Sequence, residues 1–386
     1  MQQPIRFGLV GYKFMGKAHS NALARLPMFF PESPSVSRQA ICGRDAAGVR
    51  SAAGQLGWQS YETDWRRLVD RDDIDVIDIT APSNAHHEIA IAAARAGKHV
   101  FCEKPLALTL DDARGMADAV RKAGVTGQIG FNYRFAPAIQ MAHQLIASGR
   151  LGTIYHFRGQ YLQDFIVDPQ FPRVWRLDRS VCGSGALGDI GAHLIDLARY
   201  LVGDIREVSG MSRTFIRERP LPSAMTGLSA SADETRRGVV DVDDATSFVF
   251  GFTGGAMGTI EATRFAQGNK NGMSFEINGS KGSLRFHFER MNELEWYDAA
   301  DPQTESGFRV IQCTEAAHPY MSAWWPVGHV IGYEHTFVHE MADFVRAVSA
   351  GQPASPDFAD GVAVSQIMEA VELSIDRRAW VEVASL

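Results

Sequence analysis

Apolar positions in the first 130 residues follow two alternating periods. Between strand-length apolar runs, apolar residues recur every three or four positions, as on one face of a helix. The helical segments span residues 14–26, 45–56, 84–96 and 109–123, and the strand-like runs are IRFGLV, SRQAIC, DVIDIT, KHVFC and VTGQIGF. Strands that alternate with helices of this length predict a doubly wound parallel sheet over residues 1–130.

After residue 150 the pattern changes to the alternation of half-buried strands. It runs through GTIYHFRGQYLQ, VDDATSFVFGF, GAMGTIEATRF, MSFEINGSKGSLRFHF and NELEWYD, with a hairpin turn predicted at NGSKGS. Helical periodicity returns at 332–350 and 358–378, whereas the polar, proline-containing residues 215–240 predict an exposed loop. We therefore predict a second, α/β domain over residues 131–386, built on a large, mostly antiparallel open sheet. We expect the helix at 358–378 to pack back on the first domain.

Composition narrows the class of protein. The 386 residues are 45% hydrophobic and 22% charged, with a net charge of −7 and no Lys/Arg-rich run, so nucleic acid is not an expected partner. The chain shows no apolar run of membrane-spanning length and no signal-peptide pattern at MQQPIRFGLVG, so no membrane association is expected. Four scattered cysteines without CxxC spacing predict reduced thiols, no metal site and a cytoplasmic location.

The turn after the first strand carries a degenerate phosphate-binding pattern. Gly11 and Gly16 occupy the outer positions of G-x-G-x-x-G, but Lys13 replaces the middle glycine. A plain strand–helix turn is equally compatible with these residues. Because the turn opens the first helix of a βαβ unit, it can also hold an anion at that helix N-terminus.

The end of the second strand leaves the choice of dinucleotide open. Gly43 stands where an acid would bind the ribose 2′-hydroxyl of NAD, and Arg44 follows, where it can pair with the 2′-phosphate of NADP. A solvated arginine that opens the next helix explains Arg44 equally well.

The segment GSGALGDIGAHLIDLARYLVG, residues 183–203, predicts an amphipathic helix with unusual chemistry. Asp189, His193 and Asp196 follow one another at intervals of four and three, on one stripe of that helix. Spacing alone also fits a solvated ion pair. Asp196 is either an orienting group behind the site or an exposed residue.

A lysine is fixed by its neighbours at the end of the fifth strand candidate. Glu103, Lys104 and Pro105 follow HVFC, at the edge where parallel sheets bind ligands. A lone lysine is usually a surface residue. Its placement there makes sense if its charge meets a developing alkoxide.

These segments together resemble the Gfo/Idh/MocA family of NAD(P)-dependent sugar and inositol dehydrogenases, which includes glucose–fructose oxidoreductase. The resemblance covers the whole chain and rests on GLVGYKFMGKAHSNA, APSNAHHEIAIAAARAGKHVFCEKPLAL, GFNYR and GALGDIGAHLID. It implies a Rossmann first domain and a site in which Lys104, Asp189 and His193 meet the substrate carbon that faces the nicotinamide. Histidine titrates near neutral pH, so His193 is a suitable general base, with Lys104 stabilising the alkoxide and Asp189 binding a neighbouring hydroxyl.

The resemblance and the strand ends also suggest binding residues. The expected cofactor contacts are Gly11, Lys13, Phe14, Met15, Gly16, Gly43, Arg44, Pro82, Ser83, His86, Glu103 and Lys104. The expected substrate contacts are Asn132, Tyr133, Arg134, Tyr161, Gln163, Asp164, Trp175, Arg176, Trp325 and His329. Ser83 departs from the family's more common asparagine. The resemblance also predicts a cis Lys104–Pro105 peptide, which is rare for X–Pro bonds in general.

Within the family, YLQDFIVDP and residues 183–203 resemble most the levoglucosan and glucoside 3-dehydrogenase branch. The expected reaction is hydride transfer between NAD(P) and a secondary hydroxyl of a pyranose sugar, anhydrosugar or glycoside, with carbon 3 among the candidates. NAD(H) is favoured slightly over NADP(H). An inositol dehydrogenase, an NAD-dependent glycosidase of the same fold and a catalytically silent regulator are the alternatives, although Lys104, Asp189 and His193 argue against the last. An open sheet face predicts a homodimer or homotetramer.

Overall fold

The structure, a computed structural model, describes residues 3–226 and 229–386, and of residues 224–226 and 229–234 the backbone alone. These residues form two compact units. The first includes the described residues up to Asn132 together with Tyr333–Ser365, and the second comprises Tyr133–Met225, Ser229–Gly332 and Gln366–Leu386. The sequence placed residues 131–386 in one domain. The structure instead assigns Tyr333–Ser365 to the first unit. This segment includes the start of the helix that was predicted at 358–378.

The first unit is built on six parallel strands in the order β3-β2-β1-β4-β5-β6, which confirms the predicted doubly wound sheet. The strands are β1 (Ile5–Val10), β2 (Val36–Cys42), β3 (Ser60–Glu62), β4 (Val76–Ile79), β5 (His99–Glu103) and β6 (Gly127–Gly130). Sequence periodicity located each of these strands except β3, whose three residues are too few to show a period.

Helices flank this sheet, and short polar side chains begin several of them. They are α1 (Phe14–Phe29), α2 (Ala46–Leu56), α3 (Trp65–Val69), α4 (His86–Arg95), α5 (Leu110–Ala123), α9 (Tyr333–Ala350) and the start of α10 (Phe358–Arg377). Asp45, Asp64 and Thr109 accept a backbone N–H at the N-termini of α2, α3 and α5, which satisfies donors that the helix leaves open.

The second unit is dominated by a nine-stranded sheet of order β16-β15-β14-β13-β7-β12-β11-β8-β17. Every described pairing is antiparallel except that of β7 with β12, so the predicted mostly antiparallel sheet is confirmed. Its strands are β7 (Ile154–Leu162), β8 (Ile205–Arg213), β11 (Ala245–Phe252), β12 (Met257–Thr263), β13 (Gly272–Gly279), β14 (Gly282–His287), β15 (Glu293–Asp298), β16 (Arg309–Gln312) and β17 (Val381–Glu382).

The exposed loop predicted for residues 215–240 is wrong. Strands β9 (Glu218–Thr226) and β10 (Ser229–Val239) form a separate two-stranded sheet there, and residues 227–228 lie outside the described residues. Pro220 and Pro222 lie in β9, and proline is tolerated in a strand at an edge. A two-stranded sheet has only edges, so polar and proline-rich composition did not exclude strands.

The large sheet has one buried face and one exposed face. Along β7, Phe157, Gly159 and Tyr161 are buried, whereas Arg158 and Gln160 are exposed. Helices α6 (Pro137–Ala147), α7 (Arg179–Cys182), α8 (Ala192–Leu201) and the rest of α10 complete the second unit. A Cβ at Gly159 would come within 3.1 Å of Leu194 on α8, so the missing side chain lets α8 approach the buried face closely. Within residues 3–226 and 229–386, no helix is both long and apolar enough to cross a bilayer.

Candidate active site

The glycine turn after β1 is too tight for any other residue at its two glycine positions. Gly11 adopts a φ of +108°, and a Cβ at Gly16 would lie 2.2 Å from the carbonyl oxygen of Gly11. The Thr80 hydroxyl reaches the carbonyl oxygens of Val10 and Gly11, each at 3.1 Å, and ties the turn to β4. These glycines leave the backbone bare at the N-terminus of α1, which fits a dinucleotide pyrophosphate. The other expected contacts at this turn, Lys13, Phe14 and Met15, lie at or just inside the start of α1, with Lys13 and Phe14 exposed.

An aromatic ring lies at the end of β2. A Cβ at Gly43 would meet the Tyr12 ring at 2.2 Å, so the ring packs directly on this glycine. The Tyr12 hydroxyl bonds to the Asp45 carboxylate, and burial together with Asp45 raises the pKa of Tyr12. Asp45 supplies an acid at this strand end that sequence reasoning had sought at Gly43. Arg44 is exposed beside it.

Two of the three cofactor contacts expected at the end of β4 are buried. Pro82 is partly exposed, and Ser83 and His86 are buried. Both ring nitrogens of His86 contact backbone oxygens, Nδ1 that of Pro105 and Nε2 that of Ala81, each at 2.9 Å. The imidazole therefore engages the backbone of the Lys104–Pro105 turn, a contact that the sequence did not indicate.

The turn after β5 carries Lys104. The Lys104–Pro105 peptide is cis, as expected. Glu103 is buried, and its Oε2 accepts a hydrogen bond of 3.1 Å from the backbone N–H of Lys104. Its Oε1 lies 3.0 Å from Nε2 of His19, a buried residue of α1 that sequence reasoning missed.

In the second unit, Asp189 lies in a π-helical turn, Leu187–Gly191, which leads into α8. The single continuous α-helix predicted for residues 183–203 is therefore wrong at its start. Asp189 lies between two guanidinium groups, with Arg176 Nε 3.8 Å from Oδ1 and Arg264 Nη1 3.7 Å from Oδ2. Arg264 is fully buried and follows β12, 75 residues away along the chain, where no local pattern connected it to Asp189.

The start of the π turn is fixed from a distant loop. The Asp243 carboxylate accepts hydrogen bonds from the backbone N–H groups of Gly185 (2.7 Å) and Leu187 (2.9 Å). A Cβ at Gly185 would lie 1.8 Å from the carbonyl oxygen of Asp243, so only glycine fits there. Asp243 thus acts as an N-terminal cap from outside the helix.

His193, on the next turn, packs against aromatic rings. Its ring centre lies 4.5 Å from that of Tyr133 and 6.2 Å from that of Tyr161. The two tyrosine hydroxyls bond to each other at 2.5 Å, and Tyr161 also donates to Oδ1 of Asn271 at 2.7 Å. Gln163 donates to the same oxygen at 3.0 Å. Tyr133, Tyr161 and Gln163 are therefore joined beside His193 through Asn271, which the sequence did not single out.

Other expected substrate contacts are engaged elsewhere. Arg134 forms a buried, two-pronged ion pair with Asp196, with Nε to Oδ2 at 2.8 Å, so the structure favours a structural role for both. Within the first unit, Asn132 donates to the Thr336 hydroxyl at 2.8 Å.

The remaining candidates lie on loops. Asp164 pairs with Lys270 at 2.8 Å, and the Arg176 guanidinium covers the Trp175 ring at 4.3 Å. Trp325 is 51% exposed, and His329, also exposed, bonds to the Pro326 carbonyl. Of the expected substrate contacts, the structure thus links Tyr133, Tyr161 and Gln163 to one another beside His193 and places Arg176 beside Asp189.

Both units match known protein families. Residues 5–131 match the family described as "Oxidoreductase family, NAD-binding Rossmann fold", and residues 139–285 match "GFO/IDH/MocA C-terminal domain". Levoglucosan dehydrogenase of Pseudarthrobacter phenanthrenivorans is 43% identical over 388 residues, which cover 100% of this chain and 99% of that protein.

Solved structures agree with this assignment. An oxidoreductase domain protein from Kribbella flavida is 51% identical, with a TM-score of 0.94 over 99% of this chain and 100% of that one. Levoglucosan dehydrogenase in complex with NADH and levoglucosan is 43% identical, with a TM-score of 0.93 over 99% and 100% of the two chains. This chain is therefore a member of the GFO/IDH/MocA family of oxidoreductases.

Proposed function

We propose that this oxidoreductase oxidises a secondary hydroxyl of a pyranose sugar, anhydrosugar or glycoside, with NAD as its dinucleotide. When bound, the dinucleotide supplies the hydride acceptor. The observation that carries the proposal is the arrangement around α8, where Asp189 lies between two guanidiniums and His193 follows against two tyrosines. Full-length similarity to levoglucosan dehydrogenase favours an anhydrosugar among the candidate substrates.

His193 is the proposed proton acceptor for the substrate hydroxyl. Alcohol oxidation requires a base at the oxygen, and an imidazole is effective because its ordinary pKa lies near neutral pH. The Tyr133 ring against one side of the imidazole restricts its rotation, which fixes the position of the nitrogen that takes the proton. Lys104 is proposed to stabilise the alkoxide that develops on the same oxygen.

Asp189 is the proposed acceptor for a neighbouring hydroxyl. Arg176 and Arg264 balance its charge and hold the carboxylate in place, so that it accepts a hydrogen bond without reorganising. Tyr161, Gln163 and Asn271 supply further hydroxyl and amide groups, which are suited to a polyhydroxylated ligand.

The end of β2 supports NAD over NADP. Gly11 and Gly16 form a turn that fits a pyrophosphate in either dinucleotide. At the ribose end, the Asp45 carboxylate would repel a 2′-phosphate but accept a hydrogen bond from a 2′-hydroxyl. Exposed Arg44 acts in the opposite direction, so the ratio of kcat/KM for the two dinucleotides tests this choice directly.

We also propose that the protein forms an oligomer and is located in the cytoplasm. The exposed face of the large sheet carries Met211, Val249 and Met257, each at least 40% exposed. Such an apolar area favours a homodimer or homotetramer formed through this face. All four cysteines are free and buried, which is consistent with a cytoplasmic location.

A turnover assay tests the function. Levoglucosan, pyranosides, aryl glycosides and inositols are incubated with NAD or NADP while NAD(P)H absorbance and aglycone release are recorded. We expect NADH formation from a pyranose or anhydrosugar, abolished in Lys104→Met but retained in Lys122→Met, whose side chain is 70% exposed. Aglycone release without net NADH would indicate the glycosidase alternative, and a preference for inositols would replace the proposed substrate class.

A further inference from the structure

A fully buried histidine lies between two carboxylates beneath the Lys104 turn. Nδ1 of His19 lies 2.9 and 3.0 Å from the two oxygens of Asp78, on β4. Nε2 lies 3.0 Å from Oε1 of Glu103, on β5. Two aromatic rings also lie against the imidazole, that of Phe101 on β5 at 5.2 Å and that of Phe337 on α9 at 5.7 Å between ring centres.

Hydrogen counting makes His19 a cation. An ionised carboxylate only accepts hydrogen bonds, so two carboxylates facing the two ring nitrogens require a hydrogen on each nitrogen. Burial alone would lower the pKa of His19, but Asp78 and Glu103 outweigh burial and raise it to about 10. Burial also raises the pKa of Asp78, which the nearby His19 opposes, and with both carboxylates ionised the imidazolium keeps its charge at neutral pH.

The Glu103 carboxylate connects His19 to the backbone of Lys104. One oxygen of its carboxylate faces His19, and the other accepts the backbone N–H of Lys104. His19 thereby fixes the rotation of the Glu103 carboxylate, and the carboxylate fixes the peptide at the start of the turn. Cys102, whose thiol pKa is raised by burial and by Glu103 and Asp78, is a further titratable group beside this pair.

His86 holds the same turn on its other side. Its Nδ1 lies 2.9 Å from the carbonyl oxygen of Pro105, the residue after Lys104. Burial lowers the pKa of His86, and its hydrogen bonds to the backbone oppose that shift, whereas the carboxylates raise the pKa of His19. The Lys104 N–H and the Pro105 carbonyl, one before and one after the Lys104 side chain, are thus held by Glu103, which contacts His19, and by His86.

We propose that His19, acting through Glu103, and His86 are positioning residues that hold the Lys104 ammonium in its reactive orientation. This inference rests on the proposed function only for the catalytic importance of Lys104. The positioning itself is a property of the first unit alone. His19 acts through its charge, and His86 acts through the contact of its ring with the Pro105 carbonyl.

The test measures how fast the Lys104 amine reacts with an acetylating reagent in cofactor-free protein. Trace acetylation with acetic anhydride at several pH values, followed by mass spectrometry, gives a rate constant for each lysine. The variants are Glu103→Gln, His19→Gln and His86→Gln, with His87→Gln as the matched control, because His87 lies beside His86 on α4 with a 40% exposed side chain. Exposed Lys122 and Lys270 serve as internal references.

Glu103→Gln is the decisive variant because it keeps every hydrogen bond. Its amide donates to a neutral His19, and its carbonyl accepts from the Lys104 N–H, while the charge is removed. We expect the Lys104 rate constant to change at least threefold in this variant, in His19→Gln and in His86→Gln, with the reference lysines and His87→Gln unchanged. An unchanged Lys104 rate constant in folded Glu103→Gln would overturn the proposal, even if His19→Gln fails to fold.

Turnover separates this inference from the proposed function. Where the acetylation rate changes and kcat falls at least tenfold, both stand. Where the rate changes in an enzyme that oxidises no sugar, the positioning stands and the proposed function fails.

Discussion

The two units fix their reactive groups by different means. In the first unit, Lys104 lies on a turn held through backbone atoms, the N–H of Lys104 and the carbonyl of Pro105. In the second, Asp189 lies on a helix and is flanked through its side chain by Arg176 and Arg264. A backbone anchor depends little on which side chain follows, whereas a side-chain anchor is lost with one substitution. The fold of the first unit should therefore tolerate substitution of Lys104, although activity is lost, whereas substitution of Arg176 or Arg264 in the second unit should displace Asp189.

The largest expected effect is at His193. We expect His193→Ala to lower kcat by roughly 10²–10⁴-fold, the range for loss of a general base, and higher pH to restore part of the activity. Steady-state kinetics and NADH binding measure this, and binding should survive because the glycine turn lies in the first unit. A raised KM with an unchanged kcat would make Lys104 the base and His193 a hydroxyl contact.

Stability in the second unit should depend on its buried ion pair. Asp196→Ala leaves the Arg134 guanidinium buried without its carboxylate, which we expect to lower the free energy of unfolding by about 3–5 kcal/mol. Urea denaturation measures this. The double variant Arg134→Met/Asp196→Leu removes both charges and should recover most of the loss. If Asp196→Ala lowers sugar affinity without lowering stability, Arg134 is a substrate contact, as the sequence suggested.

In the first unit, stability should depend on the close approach of backbone atoms in the glycine turn. Gly16→Ala places a methyl group 2.2 Å from the Gly11 carbonyl oxygen, so the turn must open. We expect about 1–3 kcal/mol of destabilisation, with weaker NADH binding. Gly54→Ala is the matched control in helix α2, where a Cβ meets no atom within 4 Å, and it should stabilise the protein by roughly 0.5–1 kcal/mol. Equal effects of the two substitutions would contradict the tight turn.

A pH dependence of stability is expected from His19. Because the pKa of His19 rises from 6.5 to about 10 on folding, its contribution is complete below pH 6.5 and is lost as pH rises towards 10. Urea midpoints between pH 6.5 and 10 should therefore fall more steeply in the wild type than in His19→Gln, whereas His87→Gln should keep the wild-type slope. Parallel slopes in all three proteins would show that His19 is not charged.

Local patterns in the sequence were sufficient for most of the fold, because strands, helices and their ends are determined by near neighbours. Lys104, Asp189 and His193 were singled out by their positions together with the family resemblance, and their roles stay predictions. Local patterns did not identify Arg264, Asn271, Asp243 or His19, whose contacts join residues 58–110 positions apart. They also did not show that Arg134 pairs with Asp196, because an arginine after a strand looks the same whether it binds a ligand or a buried acid. Such supporting residues become recognisable only when the chain is folded.

The π turn before α8 makes the length of this segment critical. A π-helical turn holds one residue more than an α-helical turn, so deleting a single residue between Leu187 and Gly191 would let the ladder revert to α geometry. Asp189 would then turn away from Arg176 and Arg264 while α8 stayed intact. A one-residue deletion that an ordinary surface helix tolerates should therefore abolish the site here. Related sequences should differ in this segment by substitutions and keep its length.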